Sequence, residues 1–248
     1  MIITIDGPAG SGKTSVARRV ADELGFYVLQ TGLLYRAAAF VLLSRRGLSE
    51  ADDLSPGVLC AVRDSVTEDD LDALEGIAYG YEAGNKTPVV AIDGERVELV
   101  LSLTWLSLPA SLISQNLHIR EWSMQMQRAV AERCSLVAEG RDCGTVVFPD
   151  AECKFFLTAS VEVRAQRMLN DVARKAQGMT LDEAQNSIAA RDAHDQTRVM
   201  APLVAACGAV IIDTSRLTFD EVVQQIIAVV LEKKSHCNYS SRRESAKN

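Results

Sequence analysis

Apolar and polar positions along the chain fall into blocks of two lengths. Ile2, Ile3 and Ile5 make a short apolar run, residues 2–6, closed by Gly7 and Pro8, which is the mark of a buried strand. Val16, Val20 and Leu24 recur every four residues and so share one face of a helix, with Gly25 placed to end it. Residues 26–29 suit a second strand, and residues 33–43, rich in Leu and Ala, a helix. Apolar runs at 136–138, 154–158 and 210–213 supply three more strands, with helical stretches at 121–131 and 219–232. Strands that alternate with helices predict an α/β fold: a parallel sheet covered on both faces.

Two stretches break this rhythm. Residues 49–87 are acidic and mixed, and no period places their elements. Between 89 and 101, Ile92-Asp93-Gly94-Glu95 puts Asp-Gly between apolar flanks, and Val97, Leu99 and Leu101 alternate beyond it. Asp-Gly is a type I′ hairpin signal because both turn positions need positive φ, so a small antiparallel piece outside the main sheet is expected. Residues 233–248 are polar and basic with closely spaced serines, and a disordered tail is expected there.

Composition narrows the partners. The chain has 248 residues, 48% hydrophobic and 24% charged, enough for one packed α/β core with a smaller appendage. A net charge of −7 gives no basic footprint, which argues against nucleic acid but leaves room for a local basic pocket. The six cysteines form no CxxC pair and no histidine stands at metal-ligand spacing from them, so free or buried thiols in a reducing compartment are expected. No apolar run suits a membrane span, and residues 1–6 are too short for the apolar centre of a secretory signal. A cytoplasmic monomer is the expectation.

The candidate chemistry starts directly after the first strand. Gly7-Pro8-Ala9-Gly10-Ser11-Gly12-Lys13-Thr14 fits G-x-x-x-x-G-K-[ST], with a strand before it and a helix, beginning through Ser15, after it. The glycines let backbone N–H groups converge on phosphate oxygens, and the helix adds the positive end of its dipole. Lys13 is expected to reach the β- and γ-phosphates and Thr14 to help hold Mg²⁺, so ATP with Mg²⁺ is the expected cofactor. Glu139-Gly140-Arg141-Asp142 leaves the strand at 136–138, where open α/β sheets put their ligand crevice. There Arg141 can clamp phosphate oxygens, and Glu139 is a candidate acid near the metal. Arg191, Asp195 and Arg198 are spaced i, i+4, i+7 on one helical face; alone, that pattern is equally a solvated ion-pair ladder. Arg164 and Arg167, with Arg174-Lys175 beyond, suit a basic lid that closes over phosphates, or again a solvated face.

Taken together these motifs resemble the cytidylate kinase family. The P-loop, Thr31-Gly32-Leu33-Leu34-Tyr35-Arg36, the stretch Glu139-Gly140-Arg141-Asp142-Cys143-Gly144-Thr145, and Arg191-Asp192-x-x-Asp195-x-x-Arg198 with Ala201-Pro202-Leu203 are similar to that family's in order and spacing. The resemblance implies a P-loop nucleoside monophosphate kinase fold: a five-stranded parallel sheet between helices, a small antiparallel insertion in the acceptor-binding region and a helical lid. It divides the chain into a core (1–30, 121–159, 196–232), a monophosphate-binding region (31–120) and a lid (160–195). It implies phosphoryl transfer from ATP to CMP and dCMP. Ser111, Arg120 and Asp142 would read the cytosine edge; Thr31, Arg36, Arg141 and Arg191 would face the acceptor phosphate; Asp195 would meet the sugar hydroxyl, with Arg198 beside it. Lys13, Arg141, Arg167 and Arg191 would carry the catalytic charge, with Arg164 a second lid arginine. Gln30 stands where the family usually has Asp, and Met168 where a further lid arginine is common. Another small-acceptor kinase, acting on UMP, AMP or a metabolite, and a nucleotide-dependent binding switch remain open readings.

Overall fold

The computed structural model describes residues 1–170 and 179–245. Five strands form the main sheet: β1 (Ile2–Asp6), β2 (Tyr27–Gln30), β6 (Leu136–Gly140), β7 (Cys153–Thr158) and β8 (Val210–Asp213), in the order β2-β6-β1-β7-β8. Every pairing is parallel, as the alternation of strands and helices predicts. Successive residues of a strand point to opposite faces, and the sheet uses both. Leu29, Leu136 and Ala138 face one apolar core with α2 (Thr31–Arg45). Val28 and Val137 join Ile3, Ile5, Phe155 and Leu157 in the other, against α1 (Lys13–Leu24) and α10 (Phe219–Ser245). Gly25 ends α1 as expected, with φ 69° and its N–H donating to Ala21 and Asp22 carbonyls. β8 is an edge strand, so Ile211 is left 62% exposed.

The stretch without a readable period folds as α3 (Pro56–Asp64), α4 (Glu68–Leu74) and β3 (Ile77–Tyr81). Strand β3 pairs antiparallel with β4 (Pro88–Ile92), which turns through Asp93 (φ 51°) and Gly94 (φ 85°) into β5 (Glu95–Arg96). Both turn residues have positive φ, as the type I′ signal requires. The strand expected through Val97, Leu99 and Leu101 is instead a helical turn, α5 (Glu98–Leu101). Leu101 is buried while Leu99 is 86% exposed, so these positions do not share a face and the alternation is incidental. The three-stranded sheet is anchored by tyrosines. Tyr79 Oη accepts from Gln30 N–H at 3.0 Å and donates to Val28 O at 3.2 Å, and Tyr81 Oη donates to the same carbonyl at 3.2 Å. These hydroxyls occupy the open edge of β2, which would otherwise offer unpaired backbone groups.

A charged pin holds α4 to α2. Asp70 accepts from Arg46 at 2.7 Å and from Arg45 at 3.0 Å, and closes a capping box with Thr67. Burial alone would raise its carboxyl, but these donors outweigh it and hold it at about 2. The folded pKa is below the unfolded one, so the stabilisation is present above pH 4 and lost as pH falls toward 2. Asp70→Asn is expected to cost about 2 kcal/mol at pH 7, a difference that vanishes in denaturant unfolding repeated near pH 2.

The remaining helices are α6 (Ser107–Ile113), α7 (Leu117–Ala131), α8 (Val161–Asn170) and α9 (Leu181–Thr197). Helices α8 and α9 cover the region read as a lid and share a small core of Ala165, Met168, Ala184 and Ile188. Met168 therefore packs between helices. Arg174 and Lys175 lie outside the described residues. Of the tail expected over 233–248, residues up to Ser245 continue α10, and 246–248 lie outside the described residues. No Gly or Pro interrupts that stretch, Lys233 donates to Glu152 O at 2.8 Å, and Lys234 lies over the Phe26 ring. Among the described residues no helix is long and apolar enough to cross a membrane, and Cys60, Cys134, Cys143, Cys153 and Cys207 are in no disulfide.

Candidate active site

The strands β1, β2 and β6 end together, and a cleft of about 920 Å³ opens at their C-terminal ends. The loop after β1 forms one wall. Gly7 has φ 147°, and a Cβ there would sit 2.0 Å from Leu157 O, so only glycine lets the loop leave the sheet this closely. Ala9 through Ser15 line the cleft and Gly12 caps α1. Lys13 is buried, and its Nζ donates to Pro8 O at 2.6 Å and Ser11 Oγ at 3.4 Å, reaching back across the loop. Burial and the neighbouring Arg141 push its pKa well down, against the pull of Glu139 and Asp6.

Thr14 Oγ1 donates to Glu139 Oε1 at 3.0 Å, joining the first turn of α1 to β6. The two are hard oxygen donors on the cleft wall, a set that suits Mg²⁺ completed by phosphates and water. Among the described residues no group of three metal-ligating side chains competes for that role. Asp6 at the end of β1 accepts from Cys143 N–H at 2.9 Å and Gly144 N–H at 2.7 Å and fixes a π-helical turn (Cys143–Val147) just past Asp142; burial pushes its carboxyl up to about 6. Gln30 ends β2 in register with Glu139. With its amide oxygen turned toward Arg18, it accepts from that guanidinium through two N–H bonds of 2.9 Å.

On the opposite side lies a nest of ion pairs. Arg120 on α7 and Asp142 form a salt bridge with both partners almost wholly buried. Arg120 also donates to Ser114 O at 3.4 Å, and Ser111 lines the cleft beside it. Arg141 donates to Asp195 at 2.9 Å, and although burial would raise the Asp195 carboxyl, Arg141 holds it below the usual range. Arg198 lies just beyond α9, with extended backbone, so only Arg191 and Asp195 share the helical face. It still reaches the cleft, because its Nε donates to Ala201 O at 2.5 Å and Leu203 N–H donates to Asp195 O at 2.8 Å.

The sequence-predicted residues therefore converge, with two adjustments. Thr31, Arg36, Ser111, Arg120, Arg141, Asp142, Arg167, Arg191, Asp195 and Arg198 all line the cleft. Arg36 also braces its rim, donating to Leu101 O at 2.6 Å and Ser107 Oγ at 2.9 Å. Arg164 does not line the cleft as a lid arginine would. It is buried and pairs with Asp192 at 2.6 Å while donating to Ala159 O and Ala9 O, which staples the P-loop to α8 and α9. Its backbone and Cβ lie against Gly10. Arg167 instead lines the cleft, donating to Thr214 Oγ1 at 2.9 Å and Thr214 O at 2.8 Å. The residues missed from sequence are Thr214, Leu217, Thr218, Phe219 and Val222, which line the cleft beyond the P-loop. Their signal was their place: they follow β8 at its C-terminal end.

This geometry agrees with the relationships of the chain. Residues 3–232 match the family described as cytidylate kinase. A protein named cytidylate kinase from Marinomonas sp. is 38% identical over 227 residues, covering 92% of this chain and 94% of that one. One of the same name from Syntrophotalea carbinolica is 36% identical over 240 residues, covering 97% and 96%. Shikimate kinase from Acinetobacter baumannii is a structural neighbour at 15% identity and a TM-score of 0.43, covering 94% of each chain. A P-loop facing a buried Arg-Asp pair across one cleft, in a chain matched over nearly its whole length, places this protein in the cytidylate kinase family.

Proposed function

We propose that the protein transfers the γ-phosphoryl group of ATP to CMP and dCMP, giving ADP with CDP or dCDP. The observation that carries the reading is the buried Arg120–Asp142 pair on the wall of the cleft that holds the P-loop. A guanidinium offers donors and a carboxylate offers acceptors. Cytosine presents the complement, carbonyl and ring-nitrogen acceptors beside an amino donor, so Arg120, Asp142 and Ser111 would read its edge. Arg36, Arg141 and Arg191, with Thr31, would take the acceptor phosphate, and Asp195 and Arg198 the sugar. The triphosphate would lie on the P-loop, residues Gly7 to Ser15, with the adenine toward Leu217 and Phe219.

Phosphoryl transfer of this kind needs positioning and charge rather than a strong base. Lys13, Arg141, Arg167 and Arg191 would supply that charge where it develops. Thr14 and Glu139 would hold Mg²⁺, whose charge would offset that of the phosphates. In this reading residues 31–120 form the acceptor region and residues 160–195 the lid, whose closure would exclude water and prevent idle hydrolysis.

A coupled ADP-release assay with Mg-ATP and CMP, dCMP, UMP, AMP, GMP and dTMP tests the proposal. Strong turnover with CMP and dCMP, weak with UMP and near zero with the others, is expected. Uniform release of ADP regardless of acceptor would overturn it.

A further inference from the structure

Behind the Arg120–Asp142 pair stand polar side chains that none of the roles above uses. Ser123 and Gln127 follow Arg120 on α7 at i+3 and i+7, so the three share a face, and both are fully buried. Gln127 Nε2 donates to Ser123 Oγ at 2.9 Å, while Gln127 Oε1 accepts from no group among the described residues. Tyr35 on α2 faces them from the cleft wall. It is only 8% exposed, and its wholly buried hydroxyl makes no well-formed hydrogen bond. That hydroxyl lies toward Ser123, in the field of Asp142, Arg120 and Arg198. Burial and then the Asp142 carboxylate push it up to about 12, so it keeps its proton at any working pH.

A buried hydroxyl or amide oxygen left unpaired loses its hydration with nothing in return. Phe and Leu would fill nearly the same volumes without that cost. Polar groups held in this way point to pairing that is completed in another state of the site. We infer that Tyr35 is a positioning residue for acceptor specificity: with acceptor bound, its hydroxyl donates to Asp142 and fixes that carboxylate as an acceptor, while Ser123 and Gln127 hold the phenol from behind. The inference rests on Arg120 and Asp142 being the base readers. A carboxylate held in place accepts from an exocyclic amino group and repels a carbonyl oxygen in the same position, which is the difference between cytosine and uracil. A carboxylate free to turn loses that discrimination.

The test compares Tyr35→Phe, Ser123→Ala, Ser123→Thr and Asp142→Asn with the parent, measuring thermal unfolding and kcat/KM for CMP and for UMP. Tyr35→Phe is expected to unfold at the same or a higher temperature, because it removes an unpaired buried hydroxyl. Its CMP-to-UMP ratio of kcat/KM is expected to fall about tenfold, the value of one hydrogen bond to a charged group, with the loss carried by KM for CMP. Ser123→Ala should move the ratio the same way, and Ser123→Thr, which keeps the hydroxyl, should restore it. A Tyr35→Phe ratio equal to the parent's, with Asp142→Asn still lowering it, would overturn the inference and spare the base reading. A parent that does not discriminate, or an Asp142→Asn protein with the parent's ratio, would sink both.

Discussion

Lys13→Met is expected to lower kcat by about a hundred- to a thousandfold while leaving the protein as stable as the parent or more so. The ammonium sits inside the loop, bonded to Pro8 O and pushed toward neutrality by burial and by Arg141. A charge kept at such a position works against folding. Met fills a similar volume without it, and Ser11 Oγ still donates to Pro8 O at 3.0 Å. Catalysis loses the cation that would meet the transferring phosphate. Steady-state kinetics with CMP alongside thermal unfolding checks both halves. A variant that lost activity only by unfolding would show that Lys13 serves the fold rather than the chemistry.

The second large effect belongs to Arg120. Replacing it with Met strands the Asp142 carboxylate in a site only 4% exposed, and breaking a buried pair from one side costs about 3–5 kcal/mol. Reading of the base is lost at the same time, so kcat/KM for CMP should drop by about a hundredfold, the value of two charge-assisted hydrogen bonds. The double variant Arg120→Met with Asp142→Leu separates the two effects. An apolar pair of similar volume restores most of the stability but none of the preference for CMP. Denaturant unfolding read beside acceptor kinetics decides it: recovery of both, or of neither, would contradict a pair that serves recognition at the expense of stability.

Much of the site was legible because its signals are local. The phosphate loop needs a spacing of glycines, a lysine and a hydroxyl that little else produces. The Asp93-Gly94 turn is likewise dictated by backbone sterics, and both residues take the positive φ it requires. Where local pattern was weak, the reading failed or stayed silent. Three alternating residues at 97–101 could not separate a strand from one helical turn, and the burial of Leu101 against an exposed Leu99 settled it. Helices α3 and α4 are short, and contacts distant in sequence, such as Asp70 with Arg45 and Arg46, hold α4 against α2. In the C-terminal stretch polar composition suggested disorder, yet nothing there breaks a helix already docked on the sheet through Val222, Val223 and Ile226.

By itself the sequence determined the five strands of the main sheet, the phosphate loop and the set of charged residues, because periodicity, turn sterics and motif spacing are properties of neighbouring positions. It could not assign those charges. Arg164 and Arg167 are three residues apart on one basic helix, yet the first is buried as a staple to Asp192 and the second lines the cleft. Arg198 was read as part of a helical face and instead reaches the cleft from beyond the helix end. Tyr35 sits in the Thr31–Arg36 motif, whereas Ser123 and Gln127 belong to none, and the three become a group only when α2 packs on α7. The tertiary structure decided these matters because burial and partnership depend on which distant segments meet, and it is burial that turns a surface charge into a staple, a reader or a source of catalytic field.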